Sequence, residues 1–301
     1  MKTADIIVIG AGTAGLTAAI YGQRAGRHVL LLEEGIYGGQ IVNTPEIENY
    51  PGIQQISGFQ FAMNLYEQAT ALGAELETGK AVEIIENDGQ KIVRTETAEY
   101  GCGAVIIATG AKNRKLGIEG EEALVGRGIS YCAACDGAFY KDKTVAVVGG
   151  GNTALGDADY LANGCRQVYL IHRREEFRGD ASLAERLKQR ENVTCILNAV
   201  VTDLQAGERL EKITVQNVVS KERQEISVDG LFVAIGQVPE NQAFANLAAL
   251  DDQGYIIAGE DCKTKTPGVY AAGDCRTKEV RQLTTAAADG AVAALAACTR
   301  V

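Results

Sequence analysis

Histidine is nearly absent from this sequence of 301 residues, which holds only His28 and His172. Proline is scarce as well, at 4, so the chain is not of the Pro/Gly low-complexity kind. No apolar run approaches the roughly 18 residues of a membrane span. The start, Met1-Lys2-Thr3-Ala4-Asp5, enters a short strand pattern without the apolar stretch of an export signal. Positive charge is not in excess: 29 Lys and Arg stand against 39 Asp and Glu, a net charge of -10. That balance argues against a general nucleic-acid binder. An apolar share of 46% with 23% charged residues excludes disorder. The expectation is a soluble, cytoplasmic chain with no nucleic-acid or membrane partner, long enough for two domains.

Two residue types stand out among what is present. Glycine reaches 35, well above an ordinary share of about 7%. Without proline beside it, that surplus points to tight turns or to backbone held close to a ligand. Cysteine reaches 8, at 102, 132, 135, 165, 195, 262, 275 and 298, and only Cys132 and Cys135 form a close pair. A secreted disulfide framework does not suit so long a chain without an export signal. The other cysteines sit mostly in apolar contexts, where a buried thiol acts as a small hydrophobe.

The chain carries one unit twice. Asp5–Ile9 reads as a buried strand, followed by Gly10-Ala11-Gly12-Thr13-Ala14-Gly15, a helix to about Arg24, and a second strand His28–Leu32 ending on Glu33. Thr144–Val148 is followed by Gly149-Gly150-Gly151-Asn152-Thr153-Ala154, a helix to about Ala162, and the strand Gln167–Ile171 ending on His172. Gly10 to Glu33 and Gly149 to His172 span equal lengths. Each is a βαβ opening with the dinucleotide fingerprint in its required context. The first glycine permits the tight turn and the second lets backbone approach a pyrophosphate. The third position allows close helix packing, and the helix N-terminus offers N–H groups and positive dipole.

The copies differ where their chemistry should differ. Glu33-Glu34 ends the first, and a carboxylate there accepts hydrogen bonds from ribose hydroxyls. His172-Arg173-Arg174 ends the second, with Arg178 four residues on; guanidiniums there would bind a 2′-phosphate that a carboxylate would repel. The first site therefore suits an FAD-like ligand and the second suits NADPH over NADH. The plainer reading of His172–Glu176 is a solvated charge run. Each copy has a later strand ending in a glycine turn, Val105–Gly110 with Ala108 and Thr109, and Leu231–Gly236 with Ile235. Lys80–Thr97 and Val200–Asp229 alternate apolar and polar residues and are expected to add antiparallel strands. The expected fold is α/β, with two Rossmann-like three-layer dinucleotide-binding domains, the NADPH domain inserted into the FAD domain. Residues 1–112 and 242–301 would form the FAD domain, and 113–241 the NADPH domain.

Cys132-Ala133-Ala134-Cys135-Asp136 lies just ahead of the second fingerprint. A zinc site would need another ligand pair, and no second CxxC or Cys/His cluster is present. The functional reading is a dithiol/disulfide that exchanges electrons with the flavin and then with a substrate disulfide. With histidine so scarce, Asp136 is the candidate acid/base, and the alternative is that it caps the turn at Gly137. No metal is expected.

These residues resemble the low-molecular-weight thioredoxin reductases over essentially the full length. The resemblance rests on Gly10–Gly15, Gly38-Gly39-Gln40, Glu48–Gly52, Ala108-Thr109-Gly110, Tyr131–Gly137, Gly149–Ala154, His172–Arg178, Ala272-Gly273-Asp274 and Arg281-Gln282. The specific signal is the cysteine pair just ahead of the second fingerprint, inside the inserted domain. In glutathione-reductase-type enzymes the pair falls early in the FAD domain.

The resemblance implies that Cys135 is the flavin-proximal sulfur, Cys132 the one that exchanges with a substrate protein, and Asp136 the proton carrier. It implies an FAD site lined by Gly38, Gly39, Gln40, Asn49, Thr109, Gly273, Asp274, Arg281 and Gln282, with NADPH held by Arg173, Arg174 and Arg178. It implies a homodimer, a rotating NADPH domain, and thioredoxin or a similar small dithiol protein as partner. That carrier is expected to be a separate chain. One departure is Gly156-Asp157, where family members often carry Glu-Glu. Ferredoxin-linked and dithiol-oxidase flavoproteins of the same fold are the alternatives, as is a redox-sensing flavoprotein without turnover. The retained fingerprint and arginines favour the reductase.

Overall fold

The structure, a computed structural model, describes residues 1–87 and 89–301. Alternation of apolar side chains on buried parallel strands organises it, because successive residues point to opposite faces of a sheet. The chain divides into two compact units, Met1–Lys112 with Val238–Val301, and Asn113–Gln237.

The first unit opens with β1 (Lys2–Ile9), α1 (Thr13–Arg24) and β2 (Val29–Glu33). It continues through α2 (Gly58–Ala71), β3 (Glu75–Thr78), β4 (Ala81–Asn87), β5 (Gln90–Thr95) and β6 (Glu99–Ile107). Strand β7 (Lys112–Asn113) leads into the second unit. That unit holds β8 (Ile129–Ser130), α3 (Ala133–Asp136), β9 (Thr144–Val148), α4 (Asn152–Ala162) and β10 (Gln167–Ile171). Next come α5 (Ala181–Lys188), β11 (Val193–Ile196), β12 (Ala199–Ala206), β13 (Leu210–Asn217), β14 (Arg223–Ser227) and β15 (Gly230–Val233). Strand β16 (Gln237–Val238) returns the chain, which ends with β17 (Val269–Ala271) and α6 (Leu283–Cys298).

In the first unit the sheet order is β3-β2-β1-β6-β5-β4, with β17 also on β6. Strands β3, β2, β1, β6 and β17 run parallel, while β4 and β5 form an antiparallel meander on β6. Ile6 and Val8 of β1 join Leu16, Ala18 and Ala293 in the core on the helical side. Ile7 and Ile9 join Ile84, Val93 and Phe244 on the other. Each fully buried Ile or Leu contributes about 1.5–3 kcal/mol of burial. Helix α6 lies tightly on α1 because its face is built of small residues, and a Cβ at Gly290 would overlap the Ala14 carbonyl.

The second unit repeats the plan with a parallel sheet ordered β11-β10-β9-β15-β8. Val145 and Val147 pack towards α4 and α5. Ala146 and Val148 face the antiparallel β12-β13-β14 sheet, with Ile213 and Val215. Both units are thus three-layered and Rossmann-like. The return to the first unit comes at Val238 rather than after Asn241. Asn241 is buried in that first unit, donating to the carbonyls of Gly254 and Cys275 at 2.9 and 2.8 Å.

Candidate functional site

The first turn sits between β1 and α1. Gly10 has φ of 102°, and a Cβ there would stand 2.5 Å from the Ala108 carbonyl oxygen. A Cβ at Gly15 would overlap the Gly10 carbonyl oxygen. Gly12, the helix N-cap, is different, because its nearest neighbour would be Gly38 oxygen at 3.9 Å. Protein packing therefore explains Gly10 and Gly15, while Gly12 leaves bare backbone of the sort a pyrophosphate approaches. Thr13 and Ala14 begin the helix, and both are buried.

Glu33 closes β2 and aims its carboxylate back at this turn. Its Oε2 accepts from Ala11 N–H at 2.7 Å and its Oε1 from Gly35 N–H at 2.9 Å. Each oxygen keeps a second lone pair for a ribose hydroxyl. Glu34 points elsewhere and pairs with Lys80 at 3.3 Å. Gly38 bridges to Gly12 and donates to the Ala11 carbonyl at 2.7 Å. Gly39 follows with φ of 67°, and Gln40 hydrogen-bonds the Ala111 carbonyl. Thr109, between Ala108 and Gly110, donates to Asn241 Oδ1 at 3.1 Å.

The C-terminal segment supplies the other wall. Asp274 follows Gly273 in the short turn Gly273–Cys275, and its Oδ1 is buried without a hydrogen-bond partner among the described residues. Burial pushes its carboxyl above the ordinary range. A buried orphan acceptor of that kind fits a ligand that brings hydroxyls, as an FAD ribityl chain does. The Arg281 guanidinium lies over the Tyr255 ring at 4.2 Å, and its Nε is 3.5 Å from the Asp274 carbonyl. Gln282 caps α6 and meets Asn49 Nδ2 at 3.5 Å.

A cluster that sequence reasoning missed holds this turn. Asp289, buried on α6, accepts from Gly273 N–H at 2.9 Å, from Arg276 Nε and Nη2 at 2.8 Å, and from Lys278 at 2.9 Å. Those cations hold its carboxyl below the ordinary range against the opposing effect of burial.

The second turn lies between β9 and α4. A Cβ at Gly149 would overlap the Ala234 carbonyl, and one at Gly150 would overlap the His172 ring. Gly151, the N-cap, has nothing within 4 Å of a Cβ, which makes it the counterpart of Gly12. Ala154 occupies the third fingerprint position and is buried, while Thr153 is exposed. Gly150 oxygen accepts from Arg178 and Gly179 N–H at 2.7 and 3.1 Å, and Asn152 Oδ1 accepts from Asp180 N–H at 2.7 Å. The basic loop is thereby folded back onto the fingerprint.

Within that loop His172 and the arginines part company. His172 is 3% exposed, lies under Gly150 and stacks on Phe177, and burial pulls its pKa down. The structure thus places it beneath the fingerprint rather than on the surface. Arg173, Arg174 and Arg178 are exposed, and among the described residues none has an ion pair or side-chain hydrogen bond. Three uncommitted guanidiniums fit a phosphate monoester. Ile235 and Gly236 follow β15, where Gly236 oxygen accepts from Arg114 N–H at 3.0 Å.

The redox pair belongs to this second unit. Cys132 is the N-cap of α3, and it forms a disulfide with Cys135 inside the same turn. Both are half-buried. Asp136 ends that turn, and burial pushes its carboxyl up while Ser130 opposes the shift. Ser130 Oγ donates to Asp136 Oδ2 at 2.6 Å and accepts from Cys132 N–H at 3.0 Å. Gly137 lies flush on α4, since a Cβ would come within 2.9 Å of Tyr160 and 3.0 Å of Leu161. Tyr131 donates to buried Glu121 at 2.9 Å, and Glu121 also accepts from Leu116 and Gly117 N–H. The sequence signal for Ser130 was its place two residues before Cys132. Glu121 had none, as it sits in an ordinary charged stretch. The other six cysteines are free thiols.

Residues 4–290 match the family described as pyridine nucleotide-disulphide oxidoreductase. The chain is 41% identical over 294 residues to thioredoxin reductase of Bacillus subtilis (strain 168), covering 97% of this chain and 93% of that protein. It is 42% identical over 293 residues to thioredoxin reductase of Listeria monocytogenes serovar 1/2a (strain ATCC BAA-679 / EGD-e), covering 97% and 92%. The crystal structure of thioredoxin reductase from Streptococcus pyogenes MGAS5005 superposes with a TM-score of 0.94 at 39% identity, over 98% of this chain and 97% of that one. With two fingerprints and a disulfide ahead of the second, the chain belongs to the pyridine nucleotide-disulphide oxidoreductase family and, within it, to the thioredoxin reductases.

Proposed function

We propose that this chain is an NADPH-dependent thioredoxin-disulfide reductase. Electrons pass from NADPH to FAD, then to Cys132–Cys135, then to the disulfide of thioredoxin or a similar small dithiol protein. The observation that carries this reading is the half-buried Cys132–Cys135 disulfide, in the same unit as a fingerprint flanked by three uncommitted arginines.

FAD in the first unit supplies a carrier able to take two electrons from a nicotinamide and give them to a disulfide. Gly12 and the α1 N-terminus would meet its pyrophosphate, Glu33 its ribose, and Asp274 its polar chain. In the second unit Gly151 and the α4 N-terminus would meet the NADPH pyrophosphate. Arg173, Arg174 and Arg178 would clamp the 2′-phosphate. In the exchange, Cys132 sulfur attacks one substrate sulfur and the substrate S–S bond breaks. Asp136 ferries a proton from thiol to departing sulfur. Cys135 then attacks Cys132, re-forming the internal disulfide, and the second thiol proton leaves with the product. The substrate gains two electrons and two protons, and the dithiol loses both.

A homodimer belongs to the same proposal; light scattering should give twice the 31.9 kDa chain mass. So does a cytoplasmic location, which six free thiols fit. Among the described residues no helix is long and apolar enough to cross a membrane. The decisive experiment is anaerobic titration of the holoenzyme with NADPH, followed by a thioredoxin-coupled thiol assay. NADPH should bleach the flavin and NADH should do so poorly. Cys135→Ser should keep the bleaching and lose thioredoxin reduction. A flavin that NADPH leaves oxidised would instead favour a ferredoxin-linked or dithiol-oxidase enzyme.

A further inference from the structure

The Ser130 hydroxyl is bonded to both Cys132 and Asp136. It ends β8, where Ser130 is in register with Phe232 of β15, and it is 4% exposed. A hydroxyl has one proton and two lone pairs. The proton has two acceptors in reach, Asp136 Oδ2 at 2.6 Å and Cys132 O at 3.3 Å. The shorter, charge-assisted bond takes it. A lone pair then receives Cys132 N–H at 3.0 Å. Among the described residues, no other side chain donates to Asp136.

We infer that Ser130 is a positioning residue for proton transfer at the redox pair, fixing the Asp136 carboxylate and the Cys132 backbone through a single oxygen. The inference rests on the reading of Cys132–Cys135 as the exchanging pair. Ser130 keeps its own proton throughout. Asp136 takes the proton of the attacking thiol and gives it to the departing sulfur, so no further reactant is needed. By donating to the ionised carboxylate, Ser130 favours the form that accepts a proton, against the burial that disfavours it.

The titratable groups around Asp136 are few. Tyr140, on the turn that follows α3, feels its charge. Helix α4 brings Tyr160 against Gly137 and carries Asp157 one turn before it. Strand β15 brings Gly230 and Phe232 against the Tyr140 ring, neither of them titratable, and Tyr140 also feels the charges of Arg209 and Asp229. Among the described residues none of these donates to Asp136, which leaves Ser130 as the side chain that opposes burial in setting its proton affinity.

The test follows single-turnover exchange across pH. Holoenzyme is reduced with dithiothreitol, desalted anaerobically and mixed with 2-hydroxyethyl disulfide, and the reaction is quenched by alkylation and read by mass spectrometry. Ser130→Ala should move the acid limb of the rate profile up by about one pH unit, the size of one lost charge-assisted hydrogen bond. The rate should fall about tenfold below that limb and converge on the parent above it. Ser130→Thr should restore the parent profile. In an Asp136→Asn background, Ser130→Ala should move nothing further. An unmoved limb, or an equal loss at every pH, overturns the inference. The probe needs neither NADPH nor thioredoxin. A shifted limb alongside failed thioredoxin reduction would therefore reject the proposed substrate and keep Ser130, and the reverse would keep the substrate and reject Ser130.

Discussion

The two fingerprint turns are built on one scaffold and finished in opposite ways. In the first, the residue closing the second strand is a carboxylate fixed by the N–H groups of Ala11 and Gly35. In the second, the closing residue is a histidine hidden under Gly150, and arginines beyond it stay exposed and uncommitted. A ribose hydroxyl needs an acceptor already in place, whereas a dianionic phosphate needs cations free to close on it. On the proposed reading, ligand choice lies at the strand end, and the glycine turn only admits a pyrophosphate.

The sharpest way to break this comparison is to remove the cations. Arg173→Ala with Arg174→Ala should lower kcat/KM for NADPH by about 10²–10⁴-fold, since each charge-assisted bond is worth about 1.5–3 kcal/mol. NADH should change little, so steady-state kinetics with both nucleotides decides it. Equal losses with both would mean that the arginines shape the loop rather than read the phosphate. Next in size is the third fingerprint position. Gly15→Ala forces a methyl onto the Gly10 carbonyl and should cost about 3 kcal/mol of stability, with FAD retention lost. Because the second turn already accommodates Ala154, the reverse change, Ala154→Gly, should cost only about 1 kcal/mol by helix propensity. Thermal melts of both variants compare the turns directly. Smaller again is Glu33→Gln, which keeps the shape but weakens two charge-assisted bonds. Apoprotein titrated with FAD should bind about tenfold more weakly, and NADPH affinity should not move.

Sequence reading reached the strands, turns and helices that carry both proposed sites, because these depend on local spacing. Strand β10 runs over Gln167–Ile171, as the apolar run predicts, because buried parallel strands are written as continuous Val, Ile and Leu. The strand-end charges were legible for the same reason, their place being fixed by the strands before them. What escaped was whatever depends on distant chain meeting in space. Asp289 looks like a stray charge in an alanine-rich helix until Arg276 and Lys278 are folded onto it. His172 reads as one more basic residue, and its burial follows from Gly150, which lies far back in the sequence. Ser130 lies close in sequence to the cysteines, yet nothing in its neighbours shows that its hydroxyl points at Asp136. The second unit ends at Gln237, short of the expected boundary after 241, and Asn241 lies in the first unit, its side chain donating to the carbonyls of Gly254 and Cys275.

The smallest expected effect probes a helix position the two turns share. Counted from the first glycine, Ala18 of α1 corresponds to Asp157 of α4. Ala18 is fully buried, and Asp157 is a half-buried carboxyl with no side-chain partner among the described residues. Burial alone pushes it up to about 6, from an ordinary 3.8. The sign follows from which state ionises first. Below about pH 4 the carboxyl is protonated in folded and unfolded chains, and costs nothing. Between about pH 4 and 6 the unfolded chain ionises while the folded one resists, so stability falls as pH rises. Above about pH 6 the loss is complete and constant. Asp157→Asn removes that loss. Its melting temperature should exceed the parent's by about 2 °C or more at pH 8, and by roughly half as much at pH 5. Equal gains at both pH values would trace the effect to helix propensity, and the first helix would then have no advantage at this position beyond its alanine.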